Sequence, residues 1–399
     1  MRPLTLDAVY CPTMTPPPRP TNESPWATEE IRIFRRSVRD FIESELVPRQ
    51  PKWRAQHHPD AEAYLKAGAI GMLLPDIAED YGGGGGTFAH EAVVLEELAC
   101  AGVIFGSSVQ SIVAHYLLAF ASEEQKRRWL PPMARGELIG AIAMTEPGAG
   151  SDLQGIKTMA RRDGDEYVID GSKTFITNGY HAGLVCLAVR TDPKASGPKA
   201  LSLLCVETKG LPGYRVGTPL EKIGRNGHDT CELFFDGVRV PAGNLLGKVE
   251  GQGALQMMDQ LTYERLSVAV SAAATAAQAA SLTTRYVKDR MIAGRPLMDY
   301  QNTRMVLAKC RTEAHVGRVF VDHCIEQFLK RKLDSVTAAM AKYWLTEAEF
   351  RIVDECVQLH GGYGYMTEYP IARMWADSRV ERIFAGTNEI MRELIAWSS

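Results

Sequence analysis

The spacing of apolar residues divides the chain into three regions. In residues 27–140 apolar side chains recur at helical intervals, as at Ile31, Phe34 and Val38. Residues 141–247 hold short β-type runs instead, at 166–170, 184–190, 200–207 and 231–240. Residues 248–399 return to helical spacing in four long segments with short polar connections, at 254–292, 299–329, 334–359 and 371–396. The pattern predicts an α+β, mainly α protein with an N-terminal helical domain, a middle antiparallel β domain and a C-terminal four-helix bundle.

Two segments interrupt this pattern. Residues 1–26 are rich in proline and threonine and lack an apolar signal core, so we expect a disordered leader. Asp7 and the prolines also disfavour the amphipathic basic helix of a transit peptide. Five consecutive glycines at 82–86 cannot lie inside a helix, and they predict a flexible loop between two helices.

Composition narrows the class of protein. A chain of 399 residues exceeds the usual size of a single core, and its net charge of −3 gives no reason to expect nucleic acid as a partner. No apolar run approaches the length of a membrane span. The eight cysteines form no C-x-x-C pair and none has metal-ligand spacing to a histidine, which indicates reduced, mostly buried thiols. The absence of G-x-G-x-x-G after a strand disfavours a nicotinamide site.

Two features could carry chemistry. The segment M-T-E-P-G-A-G-S-D at 144–152 combines two hydroxyl side chains with glycines that permit close backbone approach, so it could hold a flat heteroaromatic ring or a phosphate. An ordinary turn is the alternative. Glu264 lies on a predicted helical face with Met257, Leu261 and Val268, and no cation lies three or four residues away. A buried carboxylate of this kind needs a purpose or a partner on another helix.

The order of five motifs resembles the acyl-CoA dehydrogenase family from Trp26 to the end of the chain. They are T-E-P-G-A-G-S-D at 145–152, F-I-T-N-G at 175–179, D-Y-Q at 299–301, Q-L-H-G-G-Y-G at 358–364 and A-G-T-N-E at 385–389. Within the family the chain is most similar to the long-chain and isovaleryl types. The runs R-K-L-D-S at 331–335 and A-K-Y-W at 341–344 carry the likeness to the long-chain type.

The resemblance implies FAD-dependent α,β-dehydrogenation of an acyl-CoA thioester to a trans-2-enoyl-CoA. Many family members use a glutamate before Gly-Thr as the base, but Ala385 stands there and cannot accept a proton. The long-chain and isovaleryl types place the base in a Glu-Arg pair like Glu264-Arg265. Glu264 would then take the α-proton, flavin N5 the β-hydride, and an electron-transfer flavoprotein the electrons. Glu381, expected to be solvated, and Glu389 are weaker candidates for the base.

The resemblance also assigns the binding residues. Substrate binding falls to Ser151, Arg265, Ala385 and Gly386. Cofactor binding falls to Met144, Thr145, Gly150, Ser151, Phe175, Ile176, Thr177, Arg290, Gln301, Gln358, Leu359, His360, Gly361, Gly362, Thr387 and Glu389. In relatives, Arg290 and Gln301 or residues 358–362 reach the cofactor from a neighbouring subunit, which implies a homo-oligomer, expected to be a tetramer built as a dimer of dimers. Ala293 stands where relatives often carry an aromatic ring, so we expect that contact to be missing.

Other functions stay open at this point. The same chemistry could act on an acyl group tethered to a carrier protein, or an oxidase could pass the electrons to oxygen. Ala385 also motivates a non-catalytic scaffold with a flavin fold. We expect the bacterial cytoplasm as the location, or the mitochondrial matrix in a eukaryote.

Overall fold

The computed structural model describes residues 24–192, 194–195 and 197–398, so most of the predicted leader lies outside the described residues. The N-terminal helices are α1 (Glu29–Phe41), α2 (Gln50–Gln56), α3 (Ala61–Ala69), α4 (Phe88–Ala101), α5 (Ser107–Phe120) and α6 (Glu123–Ala134). A π-helical turn, Ile42–Leu46, continues α1. The Thr28 side chain caps α1, and a reciprocal Ser122–Gln125 capping box starts α6.

The glycine run before α4 forms the predicted loop, but it is closely tied. The backbone N–H groups of residues 83–86 donate to carbonyls of residues 74–78. A Cβ atom at Gly83 would lie 2.2 Å from the Ile77 carbonyl oxygen, so this packing requires glycine. The loop therefore differs from the flexible one that the sequence suggested.

The middle region forms a seven-stranded sheet. Its strands are β1 (Gly140–Ala143), β2 (Met159–Asp163), β3 (Glu166–Thr177), β4 (Leu184–Arg190), β5 (Leu201–Glu207), β6 (Tyr214–Val216) and β7 (Thr230–Pro241). The order is β1-β4-β2-β3-β7-β6, with β5 paired to β4. Four extended pairings are antiparallel, as predicted, whereas β1 runs parallel to β4. The sequence missed β1, β2 and β6, which are short or mostly polar.

The C-terminal region contains α7 (Gly253–Asp289), a hairpin of β8 (Met291–Ile292) and β9 (Arg295–Pro296), α8 (Gln301–Leu329), α9 (Ser335–His360), α10 (Pro370–Ser378) and α11 (Asn388–Trp397). The predicted helix over 371–396 is wrong, because a 3₁₀ turn, Arg379–Arg382, and a loop separate α10 from α11. The mainly helical fold class with its middle β domain is confirmed.

Helix α7 is the central element, since α4, α5, α8 and α9 all pack against it. Contrary to the expectation from the sequence, its length and hydropathy alone would suffice for a membrane span, but most of that apolar stretch is buried inside the protein. Among the described cysteines Cys100 is half-buried, and the buried ones are free thiols: Cys186, Cys205, Cys231, Cys310, Cys324 and Cys356.

Candidate active site

Glu264 occupies a buried position in the interior of the protein. Its side chain projects from α7 and is 9% exposed. Tyr116 on α5 donates a hydrogen bond of 3.0 Å to its Oε1 atom. Burial raises the pKa of Glu264 to about 7, although the Tyr116 hydroxyl and the nearby Arg265 guanidinium oppose the shift. A carboxyl with this pKa is partly ionised near neutral pH and can accept a proton there.

Arg265 is buried beside Glu264, and its Nε atom has no hydrogen-bond partner among the described residues. Burial lowers the pKa of the guanidinium, while the Glu264 charge opposes this change. A buried N–H without a partner is costly, so the group is available to a ligand. This position is compatible with the predicted substrate contact.

Ala385 and Gly386 lie in the loop before α11. Both have left-handed backbone conformations, with φ angles of 52° and 84°. The fully buried Lys342 ammonium donates to the Gly386 carbonyl at 2.8 Å and to Asn388 Oδ1 at 2.9 Å. Burial lowers the pKa of Lys342 to about 8, and the Arg265 charge acts in the same direction, which places this loop near the Glu264-Arg265 pair.

The next residues after this loop have local roles. Thr387 caps α11 by accepting from the Ile390 N–H. The Glu389 side chain is 72% exposed and pairs with Arg392 across one turn. Neither Thr387 nor Glu389 forms a hydrogen bond or ion pair with Glu264 within the described residues. Glu389 is therefore no rival for the base, and its exposure leaves it free to meet a cofactor.

The glycine-rich segment 144–152, which we call the ring loop, is held by a buried ion pair. Glu146 accepts from the Thr158 N–H at 2.9 Å and from the Lys173 ammonium at 2.9 Å. Lys173 also donates to the Met144 carbonyl, and the Thr174 N–H donates to the Thr145 carbonyl. Burial lowers the pKa of Lys173 to about 8, an effect that Glu146 partly offsets. The pair thus anchors the ring loop to β3.

The ring loop leaves its other side open. A Cβ atom at Gly148 or Gly150 would meet no other atom within 4 Å, and Ser151 is exposed. The segment therefore has the space that a bound group would need. In the same region Tyr116, Ala149 and Met257 share one apolar cluster, against which Met144 packs. This cluster connects the ring loop to the elements that carry the base.

Phe175 has an unusual conformation at the end of β3. Its φ angle is 60°, an irregularity interrupts the β3–β7 pairing around it, and its ring is 67% exposed. A bulky residue with positive φ is strained and is often found at functional sites. The Ile176 side chain is buried in the core and only 2% exposed, so only its backbone could make the predicted contact with the cofactor. Thr177 is half-buried.

A second group of predicted cofactor residues lines a separate cleft of about 570 Å³. We call this cleft the nucleotide cleft. The predicted cofactor residues on its wall are Arg290, Gln358, Leu359, His360, Gly361 and Gly362. Gln301 is not on its wall, but the following Asn302 and Thr303 are. Arg290 is exposed and lies 5.3 Å from the Tyr363 ring centre.

Two residues near this cleft have structural roles. His360 stacks on Tyr286 with ring centres 4.0 Å apart, and its Nδ1 is 2.8 Å from the Cys356 carbonyl. Burial lowers the pKa of His360 to about 4, so it is neutral. Ala293, with a φ angle of 49°, forms the β8–β9 turn with Gly294 and is not on the cleft wall.

Sequence reasoning missed several residues that organise the site. Tyr116, Lys173 and Lys342 position the base, the ring loop and the C-terminal loop. Asn178 accepts from Tyr64 and donates to the Gly106 and Gly140 carbonyls, which ties β3 to α5 and β1. The F-I-T-N-G motif contains Asn178 and the A-K-Y-W run contains Lys342, but sequence reasoning assigned neither residue a role. Tyr116 and Lys173 lie outside every motif.

One carboxylate was placed wrongly. Glu381 is 4% exposed and accepts from Arg225, whereas the sequence suggested a solvated side chain beside Arg379 and Arg382. The neighbouring arginine points elsewhere, because Arg382 bonds to Glu347.

The residues fit a flavin dinucleotide in two parts. The open side of the ring loop and the exposed Phe175 offer a flat apolar and polar surface for a ring system. The nucleotide cleft offers a cation and backbone groups at Gly361 and Gly362, where an added Cβ would meet nothing within 4 Å.

Comparisons with known proteins identify the family of the chain. Family models for the N-terminal, middle and C-terminal domains of acyl-CoA dehydrogenase match residues 28–137, 141–238 and 251–399. The long-chain specific acyl-CoA dehydrogenase of Sus scrofa mitochondria is 44% identical over 373 residues, which span 92% of this chain and 86% of that protein.

Solved structures give the same result. An acyl-CoA dehydrogenase from Geobacillus kaustophilus superposes with a TM-score of 0.91 at 44% identity and covers 94% of this chain and 99% of that one. A chain from a structure described as the electron transferring flavoprotein of Acidaminococcus fermentans gives 0.87 at 33% identity, covering 95% and 99%. The chain belongs to the acyl-CoA dehydrogenase family.

Proposed function

We propose that the protein is an FAD-dependent acyl-CoA dehydrogenase in which Glu264 is the catalytic base. The observation that carries this assignment is a buried carboxyl with a pKa of about 7 on α7, in a chain whose C-terminal motif has alanine at the usual position of the base. Bound FAD would supply the acceptor for the hydrogen that leaves the β-carbon with its electron pair. The product is a trans-2-enoyl thioester.

Glu264 would break the α-carbon–hydrogen bond by accepting the proton. Burial keeps the carboxylate basic. Tyr116 donates a hydrogen bond to one carboxylate oxygen, so the other oxygen can face the substrate. As the proton leaves, negative charge moves to the thioester oxygen. The Ala385 N–H makes no hydrogen bond within the described part of the chain, and the left-handed loop presents it as a donor for this oxygen.

The remaining binding residues follow from the two-part cofactor site. Met144, Thr145, Gly150, Ser151, Phe175, Ile176 and Thr177 would hold the ring, and Arg290, Gln301, Gln358, Leu359, His360, Gly361, Gly362, Thr387 and Glu389 the nucleotide portion. Arg265, Gly386 and Ser151 would contact the substrate. The exposure of Arg290 and Glu389 within one chain supports completion of the nucleotide part by a second subunit, in a homotetramer.

The electron acceptor and the location extend this proposal. An electron-transfer flavoprotein is the proposed acceptor, supported by the similarity to a chain from the Acidaminococcus fermentans structure. We place the protein in the cytoplasm of a bacterium, or in the mitochondrial matrix of a eukaryote. A non-catalytic scaffold loses its motivation, because Ala385 does not leave the site without a base.

Anaerobic titration of the purified protein with acyl-CoAs tests the proposal. Flavin absorbance should bleach with at least one saturated acyl-CoA and should stay unchanged with CoA alone. Glu264→Gln should bind FAD and acyl-CoA but bleach far more slowly. If no acyl-CoA bleaches the bound flavin, or if Glu264→Gln bleaches at the wild-type rate, the assignment is wrong.

Two assays separate the acyl-CoA dehydrogenase from the carrier-protein enzyme and from the oxidase. Equal or better bleaching by acyl groups on a carrier protein would indicate a carrier-protein substrate. Peroxide formed in step with each turnover in air would indicate an oxidase. The proposed function predicts faster turnover with CoA thioesters and with an electron-transfer flavoprotein or an artificial acceptor than with oxygen.

A further inference from the structure

A stripe of partly open residues leads away from Glu264 along α7. Leu261, Val268, Ser271 and Thr275 are half-buried, whereas most of their neighbours on this part of the helix are fully buried. With Glu264 they recur at intervals of three and four residues, so they share one face. At 1.5 Å per residue, Ser271 and Thr275 lie roughly 10 and 16 Å along the helix from Glu264.

Helix α5 follows the same route in the opposite direction. Tyr116 contacts Glu264, and the half-buried Ile112 and Ser108 lie one and two turns towards the start of α5. Ser108 and Ser107 line a small cavity together with Ser271 and Thr275 of α7. Two helices therefore lead from the base to this cavity, which we call the distal cavity.

The distal cavity contains a buried carboxyl pair. Glu349 on α9 and Glu381, four residues before Ala385, both line it and are 1% and 4% exposed. Arg225 donates to Glu381 Oε1 at 3.1 Å. Burial and the neighbouring Glu381 charge raise the pKa of Glu349 well above its usual range, so the two carboxyls share a proton. The shared proton leaves one negative charge on the pair beside Arg225. A third carboxyl, Asp377, also lines the cavity and accepts from the Arg225 backbone N–H.

Several buried polar atoms in this cavity have no conventional partner. Neither oxygen of Glu349 receives a well-directed hydrogen bond from a described residue, although the nearby Thr275 hydroxyl favours its ionised form. The Ser107 hydroxyl, 1% exposed, is also unpaired, and Glu381 Oε2 has no partner other than the proton that it shares with Glu349. Even after one proton is shared between the carboxyls, Glu349 keeps a free acceptor. Buried acceptors without donors are costly, and a ligand or water must supply them.

We propose that the distal cavity binds the far end of the acyl group and that it takes an end bearing a hydroxyl group rather than a bare methyl. A hydroxyl can donate to the free Glu349 oxygen and accept from Ser107. An ammonium end would lie beside the Arg225 cation. A carboxylate end would face the carboxyls of Glu349, Glu381 and Asp377. The cavity, of about 70 Å³, has room for a short polar end or a few waters, but not for a further long segment.

The inference rests on the proposed acyl thioester function and deepens it. Since carbon–carbon bonds are about 1.5 Å long, a zigzag chain of roughly eight to thirteen carbons spans the distance from Glu264 to the distal cavity. The hydroxyl would be placed on the last carbon. A shorter chain could not bring it to Glu349, and the preference should therefore depend on length.

The test compares saturated acyl-CoAs with their terminally hydroxylated analogues at equal carbon number, over roughly eight to fourteen carbons. The readouts are anaerobic flavin bleaching and kcat/KM of the wild-type holoenzyme. At the best length the hydroxylated substrate should be preferred by about tenfold or more, and the preference should vanish in chains that are several carbons shorter. Preference for the plain substrate at every length would overturn the proposal and would show that water fills the cavity.

Variants of Glu349 test whether this residue causes the preference for a terminal hydroxyl group. Glu349→Leu should lose the preference and improve use of the plain acyl-CoA, while Glu349→Gln should keep part of it. Glu355→Gln, on the same helix but at its surface and paired with Lys309, should behave as wild type. A preference that survives in Glu349→Leu would contradict the assignment.

The outcomes also separate this inference from the proposed function. If Glu349→Leu does not fold, the length-dependent preference of the wild type decides alone. Bleaching by plain acyl-CoAs without any hydroxyl preference would leave the proposed function intact and remove only this inference. Absence of bleaching by every thioester would remove both.

Discussion

The two parts of the proposed cofactor site are built differently. The ring loop is tied to β3 by the buried Glu146–Lys173 pair and lies beside the elements that carry Glu264. The nucleotide cleft is open, and its cation, Arg290, is exposed. A single chain thus supplies all the residues proposed to surround the reacting atoms. The nucleotide cleft, which would only hold the cofactor, stays open for a second subunit to cover. Substitution of the proposed base in the first part should affect turnover, and loss of the anchor of the ring loop should lower both stability and flavin content. Substitutions in the second part should affect cofactor retention and leave turnover at saturating cofactor unchanged.

The largest effect should come from Glu264→Gln. The amide keeps the shape and can still contact Tyr116, but it cannot accept the α-proton. Turnover should fall by roughly three or more orders of magnitude, as for other proton-transfer groups, with little change in FAD content. Rapid-reaction measurements of flavin bleaching test this. Near-normal turnover would show that the base lies elsewhere and would break the contrast between the two parts.

Lys173→Met should have the next largest effect. The change leaves the Glu146 carboxylate buried without its cation and should destabilise the protein by about 3–5 kcal/mol, with loss of bound flavin. Denaturant unfolding and the ratio of flavin to protein absorbance provide the measurement. Arg239→Met, which removes an exposed pair with Glu166 on the same sheet, is the matched control and should retain its flavin. Full flavin content in Lys173→Met would mean that the ring loop needs no such anchor.

Arg290→Ala tests the open part. Loss of the cation should weaken FAD binding by about tenfold, while kcat at saturating FAD stays near the wild-type value, because Arg290 is remote from the bonds that change. Dialysis followed by flavin titration measures the affinity. If kcat falls and FAD affinity does not change, the assignment of roles to the two parts is reversed.

The sequence predicted the elements that depend on local pattern and missed those that depend on distant partners. The run 184–190 matches β4 because a continuous apolar segment specifies a buried strand. The segment 371–396 continues the helical period, yet the helix is interrupted there. At the break Lys342 donates to the Gly386 carbonyl, and Arg225 donates to the buried Glu381. Neither interaction can be read from neighbouring residues.

The candidate site shows the same limit. Glu264 could be proposed from the sequence, because its apolar helical face holds no cation to pair with it and because the resemblance assigns the base to a Glu-Arg pair when alanine stands at position 385. Tyr116, which tunes this acid, could not be found, since nothing near it in sequence indicates a partner on α7. The motif residues at 144–152 were visible as a loop, but their anchor Lys173 lies on a strand beyond the motif.

The smallest predicted effect concerns the pH dependence of the base. Because Glu264 must be ionised to accept a proton and has a pKa of about 7, kcat/KM should rise with pH through about pH 7 and level off roughly one pH unit higher. Tyr116 donates to the ionised form and therefore lowers this pKa. In Tyr116→Phe the whole profile should move to higher pH, so that activity falls severalfold below neutral pH while the plateau at high pH changes little. Tyr81→Phe, which removes an exposed hydrogen bond to Glu123, should leave the profile in place. A Tyr116→Phe profile that is lowered equally at every pH would show that the hydroxyl only positions Glu264, and the dry part of the site would then owe its basicity to burial alone.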